Sequence, residues 1–215
     1  DEGISRDYIE ALKREASLKG HDRPIETIYI GGGTPTILPE DVLRDVFDSI
    51  KKAFNLTRDM EISVEANPGT LDERKIDALL SSGVNRISLG VQSFDDKELK
   101  ALGRAHSADD VIGALKMLKA SGLENSSIDL IYGIPGQTID SWEDTLKKAV
   151  EYMPEHISAY ELTPEKGTAL YGSLRKGETV LPDEDLTADM FDCAVDALTK
   201  AGFGHYEISN YARPG

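Results

Sequence analysis

Ile28-Tyr29-Ile30-Gly31-Gly32-Gly33-Thr34-Pro35-Thr36 decides how the rest of the chain is read. A β-branched and aromatic run ends in three glycines and a Thr-Pro-Thr, and Pro39 then opens a helical pattern. The spacing predicts a strand, a sharp turn and a helix. Glycine has no Cβ, so the backbone here can take unusual φ/ψ and a ligand can touch the main chain. The last carbonyls and amides of a strand lack ladder partners and are free to bind an ammonium or an oxyanion. A tight turn with no ligand explains the glycines equally well.

The same grammar repeats outward from this stretch. Upstream, Ser5 can cap a helix reaching about Lys19, with Tyr8, Ile9, Leu12 and Ala16 at helical spacing, and Pro24 breaks the chain before a strand over 27–30. Downstream, Glu61-Ile62-Ser63-Val64-Glu65-Ala66-Asn67-Pro68-Gly69 reads as a second strand with a Pro-Gly exit. Arg86-Ile87-Ser88-Leu89-Gly90-Val91-Gln92-Ser93-Phe94 reads as the third. The fourth runs from Ser127 to Tyr132 and exits through Gly133-Ile134-Pro135-Gly136, and the fifth runs from His156 to about Thr163. Helical patterns fill the gaps at 39–50, 72–82, 95–102, 108–121 and 138–151. Two more follow at 170–176 and 181–201, before Tyr206-Glu207-Ile208 reads as a strand entering a new region.

Five strand–helix alternations predict an α/β fold with a parallel sheet and right-handed crossovers. A closed eight-fold barrel needs about 200–250 residues or more. A partial barrel or an open doubly wound sheet therefore fits these 215 residues better.

Composition narrows the partners. Lys and Arg number 24 against 39 Asp and Glu, a net charge of −15, which argues against nucleic-acid and acidic-membrane surfaces. No apolar run is long enough to span a bilayer and no signal-peptide pattern opens the chain, so the expectation is a cytoplasmic protein. The single cysteine, Cys193, cannot supply the ligand set of a zinc or iron–sulfur site and is expected to be a buried structural thiol. His21, His156 and His205 are scattered and suggest no metal site.

In parallel α/β folds, ligands lie beyond the C-terminal ends of the strands. Those ends carry Gly31 to Thr34, then Glu65 and Asn67, then Gln92 and Ser93 with Arg104 and His106 on the next loop, then Asp129 and Tyr132, then Glu161 and Thr163. Parallel strand interiors are normally apolar, so Glu65 and Asp129 need partners or a cavity. One alternative is an internal salt bridge between Asp129 and Arg104. The rim chemistry suits an amino-acid nucleoside. The glycine-turn carbonyls and an acid take an ammonium, Glu65 takes a ribose diol, and Arg104 takes a carboxylate bidentately.

Five blocks occur in order: Ile28 to Thr36, Glu65-Ala66-Asn67-Pro68-Gly69, Gly90-Val91-Gln92-Ser93-Phe94, Leu102-Gly103-Arg104-Ala105-His106, and Asp129 to Gly136. Together they resemble the radical S-adenosylmethionine (radical SAM) proteins related to oxygen-independent coproporphyrinogen III oxidase. The resemblance covers about residues 5–165. The blocks at 156–168 and 181–215, including Tyr206-Glu207-Ile208-Ser209-Asn210-Tyr211-Ala212, are more similar to the branch known as heme chaperones (HemW).

The resemblance implies a partial (β/α)6-type TIM-like barrel whose first strand precedes Asp1, followed by the start of a C-terminal α+β region. It divides the chain into a core at 1–168 and that region at 169–215. It also implies that Gly32 and its neighbours hold the methionine part of S-adenosylmethionine and that Glu65 contacts the same cofactor. Positions matching Gly33, Thr34, Gln92, Arg104, Asp129 and Thr163 contact a second S-adenosylmethionine in the oxidase. The family's [4Fe–4S] cluster is held by a CxxxCxxC motif that these 215 residues lack. A truncated chain is the expected reason.

Three functions remain open. The first is a heme chaperone that binds S-adenosylmethionine, a cluster and heme and delivers heme to respiratory proteins. The second is the oxidase, a radical SAM oxidoreductase of porphyrin biosynthesis. There, a 5′-deoxyadenosyl radical takes hydrogen from a porphyrinogen propionate, and loss of carbon dioxide leaves a vinyl group. The third is an unrelated α/β enzyme whose glycine loop holds phosphate.

Overall fold

The structure, a computed structural model, describes residues 2–20 and 23–214, with the side chains of residues 2–5 outside the description. The expectation for His21 also falls outside it. Five strands form the parallel part of one sheet: β1 (Pro24–Ile30), β2 (Asn55–Ala66), β3 (Arg86–Gln92), β4 (Asn125–Tyr132) and β5 (His156–Glu161). Two short strands, β6 (Gly204–Glu207) and β7 (Asn210–Ala212), form a hairpin whose β7 pairs antiparallel with β5. The order across the sheet is β1-β2-β3-β4-β5-β7-β6. The sheet curls into a half-barrel, the partial TIM-like fold expected from the sequence.

Strand alternation decides what lies on each face. Ile62, Val64, Ile87, Leu89, Ile128, Leu130 and Ile157 are fully or almost fully buried beneath the helices. The residues between them are polar and turn to the inside of the curl: Ser63, Glu65, Arg86, Ser88, Ser127, Asp129, His156 and Ser158. Glu65 and Asp129, set in otherwise apolar runs, thus have the cavity that such residues need. The sheet is amphipathic because one side packs on helices and the other lines a cavity.

The helices are α1 (Glu2–Lys19), α2 (Glu40–Ala53), α3 (Glu73–Ser81), α4 (Asp96–Ala101), α5 (Ala108–Ala120), α6 (Ile139–Glu151), α7 (Ala169–Lys176) and α8 (Glu184–Lys200). Ser5 lies inside α1 and not at its cap. Local chemistry fixes the other starts. Asp72, Asp95 and Asp183 accept bonds from the first-turn amides of α3, α4 and α8, and Ser107 and Thr138 form capping boxes with Asp110 and Ser141.

Two features tie the layers to the sheet. Trp142 is fully buried, and its Nε1 donates to the Met190 carbonyl at 2.9 Å, clasping α6 to α8. Glu98 on α4 is buried, and its side-chain oxygens accept bonds from Ser93 Oγ (2.5 Å), Gln137 Nε2 (3.1 Å) and Ser141 Oγ (2.8 Å). It thereby pins the exit of β3 to the start of α6.

Three boundaries differ from the sequence reading. Pro24 is the first residue of β1 instead of a break before it, which proline tolerates at a strand's start. β2 begins at Asn55, and its polar first half stays paired with β1 through a register shift between Ile25 and Thr27. The strand expected at 206–208 is β6 of a hairpin, with Ile208 in its turn, and it adds to the same sheet.

Candidate functional site

At the C-terminal ends of the strands, the curl encloses a cavity of about 670 Å3. Gly33, Thr34, Glu65, Asn67, Gln92, Arg104, Asp129 and Thr163 all line it. Gly32 lies at its edge and donates its backbone N–H to Glu65 Oε2 at 2.8 Å. These nine residues are thus gathered around one space, eight lining it and Gly32 bonded to one of them, although they span 132 positions from Gly32 to Thr163.

The glycine turn shows why these residue types are needed. Gly32 and Gly33 have φ of 86° and 62°, in the left-handed region that glycine enters without strain. A Cβ on Gly31 would come within 2.6 Å of the Tyr29 ring and 2.8 Å of the Glu65 carboxyl carbon. The bare backbone lets the Tyr29 hydroxyl close on Glu65 Oε1 at 2.5 Å.

Across the cavity, Gln92 ends β3 with φ of 67°, a cost that a non-glycine residue bears only where its surroundings hold it. The ladder to β4 shifts register between Gly90 and Gln92. A Cβ on Gly90 would stand 2.8 Å from Gln92 Nε2, so Gly90 makes room for the glutamine amide beside Arg104.

Asp129 is not paired with Arg104. Ser88 Oγ donates to its Oδ2 at 2.9 Å, and Ser158 also bonds it. Burial pushes the Asp129 carboxyl above its ordinary range against the pull of these two serines. Arg104 donates to Asn67 Oδ1 at 3.0 Å, and among the described residues no carboxylate is within ion-pair distance of it. Burial lowers its pKa from the ordinary value. A guanidinium that keeps most of its five donors unused beside a cavity is equipped to take a carboxylate.

Three residues expected on the rim are elsewhere. Ser93 is fully buried on Glu98, His106 is buried with Nε2 3.4 Å from the Val91 carbonyl, and Tyr132 packs on Trp142 with ring centroids 5.6 Å apart. The sequence reading missed a lower layer of the cavity, made of Tyr29, Arg86, Ser88, Ser127, His156, Ser158 and Tyr206. Here His156 bonds Ser127 Oγ at 2.9 Å through Nδ1 and the Tyr206 hydroxyl at 2.8 Å through Nε2. The signal was available as period-two polarity in Arg86-Ile87-Ser88-Leu89 and His156-Ile157-Ser158-Ala159.

A protein-family model, the radical SAM superfamily, matches residues 3–149. The chain belongs to the radical SAM superfamily. Its radical SAM relatives include a protein named heme chaperone HemW from Synechocystis sp., 39% identical over 215 residues, 100% of this chain and 52% of the relative. HemW of Lactococcus lactis is 41% identical over 208 residues, covering 97% of this chain and 55% of that protein. The coproporphyrinogen III oxidase (HemN) of Escherichia coli, described as a radical SAM enzyme, superposes with a TM-score of 0.88. The identity is 27%, over 98% of this chain and 49% of that one. The chain is thus a HemN-like radical SAM protein of the HemW branch, and it spans about half the length of the curated relatives it matches.

The residues present fit the two groups of this family unequally. The glycine turn, Glu65 and the unpaired Arg104 form a donor and acceptor set suited to an amino-acid nucleoside such as S-adenosylmethionine. A [4Fe–4S] cluster needs several thiolates. Cys193 is the one cysteine, half-buried on α8 in the helical layer, with burial raising its pKa. Among the described residues no group of three His, Cys, Asp or Glu could hold a metal ion. With one cysteine in its sequence, the chain lacks the several thiolates that such a cluster takes.

Proposed function

We propose that this chain is the S-adenosylmethionine-binding core of a heme chaperone. In this reading the full-length protein is cytoplasmic, carries a [4Fe–4S] cluster on residues outside this chain, binds heme, and passes it to respiratory proteins. The observation that carries the reading is the likeness to HemW along the entire chain.

Gly32 and Glu65 hold the methionine part and an adjoining polar group of S-adenosylmethionine. When bound, that molecule supplies the family with its radical precursor. Arg104 anchors a carboxylate, Gly33 and Thr34 continue the glycine-turn side, and Gln92, Asp129 and Thr163 line the rest of the cavity. Residues 1–168 act as the cofactor core, and 169–215 begin the C-terminal region. The match of the family model to residues 3–149 supports the first part of that division.

A second reading, the oxidase, is favoured by the 0.88 TM-score against HemN. In it, Gly33, Thr34, Gln92, Arg104, Asp129 and Thr163 hold a second S-adenosylmethionine, and the substrate is a porphyrinogen.

The two readings separate in one experiment. The full-length protein is reconstituted anaerobically, then given coproporphyrinogen III with S-adenosylmethionine in one sample and heme in another. The chaperone reading expects stoichiometric heme retained on the protein and no porphyrinogen consumed. Vinyl-bearing porphyrinogen accumulating would make the protein an oxidase.

A further inference from the structure

Glu65 is held from two sides, and only one side is the glycine turn. Oε2 accepts the Gly32 N–H at 2.8 Å, while Oε1 accepts the Tyr29 hydroxyl at 2.5 Å. Tyr29 stands on β1 paired opposite Ser63 of β2, so its ring and the Glu65 side chain share the inner face two residues apart. Tyr29 as a whole is 59% exposed, so it is not a core residue. The phenolic oxygen is the part of Tyr29 that meets a specific partner.

Gly31 lies between the two, and any Cβ there would strike both the Tyr29 ring and the Glu65 carboxyl. Turn, tyrosine and carboxylate are therefore one assembly. A carboxylate oxygen has two acceptor directions. With one on each oxygen occupied, the Glu65 plane is fixed and each oxygen keeps one further acceptor direction. That pair matches a vicinal diol or an ammonium, the groups that an amino-acid nucleoside offers.

The geometry points to Tyr29 as a positioning residue that orients the Glu65 carboxylate for its ligand through its phenolic hydroxyl. This inference rests on the reading that Glu65 contacts S-adenosylmethionine. Tyr29 itself does no chemistry. Without the hydroxyl, the carboxylate keeps only the Gly32 bond and turns about its last torsion, and the ligand must bear the cost of ordering it.

A double-mutant cycle on the cluster-loaded, full-length protein tests this, with S-adenosylmethionine affinity measured by calorimetry. Tyr29→Phe is expected to weaken binding about tenfold, because the ligand must then order the Glu65 carboxylate as it binds. Glu65→Ala is expected to weaken it more, and Tyr29→Phe added to Glu65→Ala to change nothing further.

A second readout needs neither cofactor nor cluster. Burial and then the Glu65 bond raise the Tyr29 phenol above its ordinary pKa. Subtracting the absorbance titration of Tyr29→Phe from that of the parent isolates this phenol. The same subtraction made in the Glu65→Ala background should show it moved back toward the ordinary tyrosine range. Unchanged affinity in Tyr29→Phe alongside weak binding in Glu65→Ala would overturn the positioning role and leave the cofactor reading standing. Strictly additive losses would overturn it too. Unchanged affinity in Glu65→Ala would overturn both.

Discussion

Both oxygens of Glu65 are occupied within the protein, yet each keeps a free acceptor direction toward the cavity. Removing the carboxylate should cost S-adenosylmethionine binding on the order of 1.5–3 kcal/mol, the range for hydrogen bonds to charged groups. Calorimetry on Glu65→Ala checks the figure. His156 makes a different residue-scale prediction. Burial first, and the Arg86 charge second, push its pKa down from 6.5 to about 4. The unfolded imidazole takes up a proton near pH 6.5 and the folded one only near 4, so between those values the unfolded state binds more protons. Stability therefore rises with pH across that window and falls on acidification. Thermal midpoints followed from pH 6.5 down to 4 should drop, and His156→Gln should flatten that part of the slope.

At the scale of elements, the exits of the strands matter more than the strands. Next to the left-handed Gln92, Ser93 is tied through Glu98 to Gln137 and Ser141 at the start of α6. Replacing Glu98 by alanine removes the buried acceptor of Ser93 and Gln137, while Ser141 Oγ keeps the Thr138 carbonyl at 3.0 Å, so it should destabilise the fold by about 3 kcal/mol in denaturant unfolding. Glu98→Gln should restore part of that.

This tie was not legible in the sequence, where Glu98 reads as an ordinary helical charge and Ser93 as a rim residue. The strands themselves were legible because each β-branched run stops at a glycine or proline. The early start of β2 was hidden because Asn55-Leu56-Thr57-Arg58-Asp59 lacks that run and is held by pairing with β1. β7 was hidden because three residues, Asn210 to Ala212, are too few to show a period.

At the scale of the whole molecule, the curl brings together residues whose spacing along the chain says nothing of their proximity. The five blocks around Gly32, Glu65, Gln92, Arg104 and Asp129 announced the family and the upper rim. They did not announce the lower layer, because Arg86, His156 and Tyr206 meet through strand register and a hairpin, not through a motif. Nor did they show Tyr29 bonded to Glu65, since the contact depends on β1 and β2 being neighbours in this register. The −15 net charge has a counterpart inside: Glu65, Asp129 and Glu161 outnumber Arg86 and Arg104 around the cavity. That balance favours a cationic ligand, and S-adenosylmethionine carries a sulfonium and an ammonium.

The most direct measurement is an anaerobic crystal structure of the full-length protein, cluster loaded and soaked with S-adenosylmethionine. The prediction is that its methionine part lies along Gly31 to Gly33, with Glu65 within hydrogen-bond distance and still bonded to Tyr29. A cofactor seated outside this cavity, or a Glu65 side chain turned away from it, would contradict the assignment of the rim.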